Sequence, residues 1–136
     1  NYVLIEFMPA VPYSEICTAV QNLSRTRYVP VIAHAERYRC LRKGKRLEEL
    51  IGLDALIQMN YRSVGGSWHD VTARWCRDNL KKGNVHLMGT DMHNTGNRMP
   101  DTKEAMSWMR THLDRKYLKK ITKDNALRIT ENKLIR

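Results

Sequence analysis

The stretch IAHAERYRC, residues 32–40, sets an imidazole, a carboxylate and a guanidinium at the end of an apolar run. Val29 to Ala33 reads as a buried strand, which has no structural use for His34, Glu36 and Arg37 at its tip. A catalytic rim uses all three. The pattern returns in LMGTDMHN, where another apolar run is followed by Asp91 and His93. Glu6, at the end of YVLIE, completes a set of two carboxylates and two imidazoles: Glu6, His34, Asp91 and His93. A mixed nitrogen and oxygen set without thiolate suits zinc, manganese or iron, and favours a catalytic centre over a structural one. Metals so held polarise a phosphoryl oxygen and generate hydroxide from water near neutral pH. Arg37 and Arg98 can then clamp a phosphate with forked hydrogen bonds. Taken alone, His34 fits a hydrogen-bonded rim residue as well as a ligand. Asp91 and His93 are the stronger pair, because both reach one ion from one loop. His69, His86 and His112 stand outside the pattern and read as structural or exposed.

The elements that must position these residues alternate. Tyr2 to Phe7, Tyr28 to Ala35, Ala55 to Asn60 and Val85 to Thr90 read as strands, rich in branched and aromatic residues. Between them lie helical patterns. Ser14 is placed to cap EICTAVQNL, Leu47, Leu50 and Ile51 mark a short helix ending at Gly52, and WHDVTARWCRDNLKK stops at Gly83. The last third reads as helices in TKEAMSWMRTHL, YLKKI and KDNALRITE. Four rounds of strand and helix predict an α/β fold with a parallel sheet, whose ligands gather beyond the carboxyl ends of the strands. Glu6, His34, the pair Gln58 and Asn60, and Asp91 all fall at that edge.

The 136 residues suit one domain, 1–136, with a single core. Hydrophobic residues at 42% and charged residues at 28% read as a soluble globular chain, and no apolar run approaches the ~20 residues of a membrane helix. No signal peptide is evident, and we expect a cytoplasmic location. The chain begins at Asn1 with a strand at once, which predicts a piece of something longer or a start assigned late. Cys17, Cys40 and Cys76, without CxxC spacing, read as reduced thiols. The net charge of +10 favours anionic partners, and RYRCLRKGKR alone places six basic residues in ten positions.

Together, YVLIEF, IAHAERY, QMNYRSVGG and TDMHN resemble, in this order, the PHP (polymerase and histidinol phosphatase) superfamily. More closely, they are similar to the manganese-dependent protein-tyrosine phosphatases encoded with bacterial capsule and exopolysaccharide genes. The resemblance runs from Tyr2 to about Ile129. It implies a distorted (β/α)7 barrel, here about four parallel strands of it with flanking helices and a helical carboxyl terminus. It implies a three-metal cluster at the carboxyl ends of the strands, and a tyrosine-phosphorylated protein as substrate, the tail of a kinase that regulates polysaccharide export. By motif, Glu6 resembles the bridging carboxylate ligand, and His34, Asp91 and His93 the further ligands. Arg37 and Arg98 resemble the arginines that hold the substrate phosphate.

Ala35 stands where the family motif has proline, Thr90 and Met92 replace residues of an SDAH motif, and Ala126 follows Asn125 where proline is usual. The larger departure is the absence of the HxH motif, with its nearby Asp and Glu, that opens the family's barrel. The expectation is thus the carboxyl-terminal portion of such a barrel, with too few ligands for three metals, low activity on its own, and a homodimer that covers the open side. Two rivals stand beside it. One is a non-catalytic basic module for acidic or phosphorylated peptide or nucleic acid. The other is a phosphoesterase acting on small phosphate esters.

Overall fold

The structure, a computed structural model, describes residues 1–93 and 101–135. The apolar runs become four strands: β1 (Tyr2–Ile5), β2 (Val29–Ile32), β3 (Leu56–Asn60) and β4 (Leu87–Gly89). They form one sheet in the order β1-β2-β3-β4. Every pairing is parallel, with Ile5 level with Ile32, Ile32 with Ile57, and Met59 with Met88. Each strand pairs with the next in sequence after a helical crossover. That is the order of a barrel wall, whereas a doubly wound sheet reverses direction at a switch point.

The helices are α1 (Tyr13–Ser24), α2 (Arg46–Gly52), α3 (Tyr61–Val64), α4 (Val71–Lys82), α5 (Lys103–His112), α6 (Arg115–Lys119) and α7 (Asn125–Thr130). Helices α1 to α6 pack on one face of the sheet, where Ile32, Ile57 and Met59 meet Ile16, Leu50, Leu80 and Met109. Each such side chain contributes about 1.5–3 kcal/mol by leaving water. On the other face Val31, Leu56 and Leu87 form a strip packed against Tyr2, Ile129 and Ile135. The period-two alternation of the strands assigns these two sets to opposite faces.

Local chemistry moved several boundaries. Ser14 does not cap α1; the helix starts at Tyr13, after Pro12, with no side-chain cap. Helix α4 starts at Val71 rather than near Trp68, because the Asp70 side chain accepts from the amides of Thr72 and Ala73. Gly83 ends it in the left-handed conformation at φ 78°. The fourth strand is shorter than expected. The Tyr117 hydroxyl takes both backbone groups of Val85, donating to its carbonyl at 2.8 Å and accepting from its amide at 3.3 Å. The two helical segments expected after residue 116 are joined by a π turn, Lys120–Asp124, that links α6 to α7. Cys17, Cys40 and Cys76 are free thiols. Among the described residues, no helix is long and apolar enough to cross a membrane.

Candidate active site at the carboxyl edge of the sheet

Each strand delivers a polar side chain to the same edge. Glu6 directly follows β1, His34 and Asp91 each lie two residues beyond β2 and β4, and Asn60 closes β3. The amide of Phe7 donates to the Tyr38 hydroxyl at 3.0 Å, which pins the chain beside Glu6 to the turn after β2. His34 and Asp91 both adopt left-handed backbone, at φ 50° and 51°. That conformation costs a residue with a Cβ on the order of 1 kcal/mol, and His and Asp are among those that tolerate it best. It turns the chain sharply at both strand tips, where the two side chains meet.

The His34 imidazole is oriented by β3. Its Nδ1–H donates to Asn60 Oδ1 at 3.0 Å, and its Nε2 lies 3.6 Å from Asp91 Oδ1 and 3.9 Å from Glu6 Oε1. Gln58 holds the arrangement. Its Oε1 accepts from the His34 amide at 2.7 Å, and its Nε2 donates to Asn60 Oδ1 at 3.0 Å. Gly89 leaves room for that amide, since a Cβ there would lie 2.5 Å from Gln58 Nε2. Arg37 spans the two carboxylates, with Nη1 3.6 Å from Glu6 Oε1 and Nη2 hydrogen-bonded to Asp91 Oδ2. His93 Nδ1 donates to the Asp91 carbonyl at 2.8 Å and lies 3.7 Å from Asp91 Oδ1. Glu6, His34, Asp91, His93 and Arg37 therefore share one cluster, while Arg98 lies outside the described residues.

Glu36 does not share the rim with His34 and Arg37. It is 2% exposed, and its Oε1 accepts from the Asn60 amide at 3.2 Å and the Ser63 hydroxyl at 3.0 Å. Burial pushes its carboxyl above the usual range, and hydrogen bonds to the carboxylate, including that from Ser63, only partly offset this. Its role is to tie the turn after β2 to the end of β3. Gln58 and Asn60, read from sequence as possible ligands, are buried supports of His34. The other histidines are structural. His86 Nδ1 accepts from the Ile57 amide at 3.1 Å, His69 lies against Trp68, and His112 stacks on Trp108 at 4.4 Å.

By type, two carboxylates and two imidazoles suit one divalent ion. Two ligands held at about 2.1 Å from a metal stand about 3–3.5 Å apart, so the His34 spacings need only a small contraction. The hydrogen bond on Nδ1 fixes the tautomer that presents the Nε2 lone pair to the carboxylates, as a metal-binding histidine requires. Among the described residues, no group of three or more His, Cys, Asp or Glu is placed to hold a metal ion as it stands; the Arg37 guanidinium balances the carboxylates instead. A cluster of three ions needs more donors than these four.

Beside Asp91 is a cavity of about 160 Å3, edged by Arg37, Asn60, Arg62 and Thr90. A larger cavity, about 580 Å3, is at the opposite end of the strands, beside Tyr2, Val29 and Val85. Ser24, Thr26 and Tyr117 there already donate to backbone carbonyls, so the grouped acid–base chemistry belongs to the smaller one.

The tyrosine-protein phosphatase CpsB of Streptococcus pneumoniae is 32% identical over 141 residues, covering 99% of this chain and 58% of that protein. The protein of the same name from Streptococcus agalactiae is 29% identical with the same coverage. The chain thus spans 58% of the length of these curated relatives. Among solved structures, it superposes with a TM-score of 0.83 and 27% identity on the crystal structures of YwqE from Bacillus subtilis and CpsB from S. pneumoniae, unique metal-dependent tyrosine phosphatases. That match covers 99% of this chain and 55% of the solved one. The model of the family described as capsular polysaccharide synthesis, CpsB/CapC, matches residues 1–131, and the chain belongs to that family.

Proposed function

We propose that this chain carries the carboxyl-edge part of a metal-dependent phosphotyrosine phosphatase site. The observation that carries the reading is the His34 imidazole, held through Nδ1 by Asn60 so that Nε2 faces Glu6 and Asp91. In this reading Glu6, His34, Asp91 and His93 hold a divalent ion, manganese by family and iron or zinc by donor chemistry. A bound ion of this kind supplies Lewis acidity toward a phosphoryl oxygen and toward water. With an ion holding the carboxylates, Arg37 would be free to hold the phosphate, and Arg98 would join it. Asn60 and Gln58 hold the His34 ring in place throughout. The substrate is a tyrosine-phosphorylated protein, the tail of a kinase governing polysaccharide export, met in the cytoplasm. With four donors and no HxH pair in its sequence, the chain turns over slowly on its own.

Hydrolysis of a phosphotyrosyl peptide with added manganese, for the parent chain and Asp91→Asn, tests the reading. Slow, manganese-dependent release of phosphate that disappears in the variant supports it. Release independent of manganese, or unchanged in the variant, overturns it. One observation favours a second reading: Arg37 already neutralises Glu6 and Asp91 without an ion. A non-catalytic phosphopeptide module would bind the peptide without manganese and release no phosphate.

A further inference from the structure

Arg62 stands out among the arginines of this edge. Arg37 is paired with Glu6 and Asp91, Arg42 donates to the Glu36 carbonyl and Thr72, and Arg77 donates to the carbonyls of Val64 and Gly66. Arg62, exposed in the first turn of α3 and two residues after Asn60, has no hydrogen bond or ion pair among the described residues. Yet it edges the cavity of about 160 Å3 that Arg37, Asn60 and Thr90 also line. A guanidinium offers five N–H donors in a planar fork that matches an oxyanion, and an unpaired one beside a concave site has that capacity in reserve.

We propose that Arg62 and Arg37 form a two-arginine site for the dianion of a phosphate monoester, in the cavity beside Asp91. The assignment deepens the phosphatase reading and rests on it. Two cations match a monoester carrying close to two negative charges better than a diester carrying one, so the site selects monoesters. Asp91 takes one N–H of the Arg37 fork, which leaves the other donors for the anion. Asp101, which lines the same cavity, opposes the anion. Removing that charge should tighten anion binding.

The test measures binding to the intact chain without manganese, so turnover plays no part. Phenyl phosphate and diphenyl phosphate are titrated by calorimetry into the parent, Arg37→Ala, Arg62→Ala, Arg62→Lys and Asp101→Asn, with folding checked by circular dichroism. Arg62→Ala should weaken phenyl phosphate by roughly 10-fold or more, the scale of a lost charged hydrogen bond. Arg62→Lys should recover part of that loss, and Asp101→Asn should bind more tightly than the parent. Diphenyl phosphate should bind more weakly and respond less to Arg62. If Arg62→Ala binds phenyl phosphate within two-fold of the parent while Arg37→Ala does not bind, the Arg62 assignment falls and the phosphate reading stands. If the parent binds no phenyl phosphate without manganese, the two-arginine site falls, and the phosphatase reading is decided separately by the manganese-dependent hydrolysis.

Discussion

His34 Nδ1 lies 3.0 Å from Asn60 Oδ1, and that one contact decides which ring nitrogen faces Glu6 and Asp91. Groups that orient a metal-binding histidine in this way typically contribute 10–100-fold to metal affinity. Asn60→Ala should therefore weaken manganese binding by about 10–100-fold, although Asn60 touches no metal in this account. Calorimetric titration of manganese against parent and variant measures it. Equal affinities would show that the imidazole needs no support from β3.

Gly89 makes a second, steric prediction. A Cβ at this position would stand 2.5 Å from Gln58 Nε2 and 3.3 Å from its Cδ. The Gln58 amide has little freedom to withdraw, because it bonds the His34 amide, the Met59 carbonyl and Asn60. Gly89→Ala should cost about 1–3 kcal/mol, the range for overpacking. Thermal unfolding should fall by several degrees, and the His34 ring resonances should shift. A variant that melts with the parent and keeps those resonances would contradict the packing described.

His86 sets a pH dependence. Burial, followed by the nearby charge of Lys120, lowers its pKa to about 4 from an ordinary 6.5. The unfolded chain therefore binds this proton more readily than the folded one. The associated stability is fully present above pH 6.5 and is lost as pH falls from there toward about 4. Between pH 7.5 and 5.0 the loss should reach about 2 kcal/mol. Urea unfolding at those two pH values measures it, and His86→Gln should flatten the difference while keeping an acceptor for the Ile57 amide. An equally steep loss in the variant would place the titration elsewhere.

Much of the site was legible because apolar runs ending in acid or imidazole are hard to explain by packing alone. The tips at His34 and Asp91 stood out on that ground, and the parallel sheet followed from the alternation that places them. The supports were less legible. Glu36, Gln58 and Asn60 carry the same chemistry as ligands, and only burial distinguishes a carboxylate or amide that braces the backbone from one that faces a substrate. Arg62 was hidden among many basic residues, because its lack of a partner is a fact of packing. The caps show the same limit in miniature. Asp70 fixes the start of α4 through two amides, while Ser14, equally suitable by type, lies inside α1.

Among the described residues, β1 pairs only with β2. Leu4 on this strand is 67% exposed and Met8 just beyond it 78%. A bare edge beside exposed apolar side chains favours pairing with a second copy. We expect a two-fold dimer built on this edge at micromolar concentration. Light scattering at ordinary salt should report twice the chain mass; a monodisperse species at 15.9 kDa would exclude the dimer.

We infer that Glu6, His34, Asp91 and His93 make one incomplete metal centre. The direct measurement is the manganese bound per chain, by titration and after dialysis, for the parent and Asp91→Asn. One weak site that empties to less than about one retained ion on dialysis, and is lost in Asp91→Asn, is the predicted result for so reduced a donor set. Two or three tightly retained ions, or a variant that binds as the parent does, would contradict it.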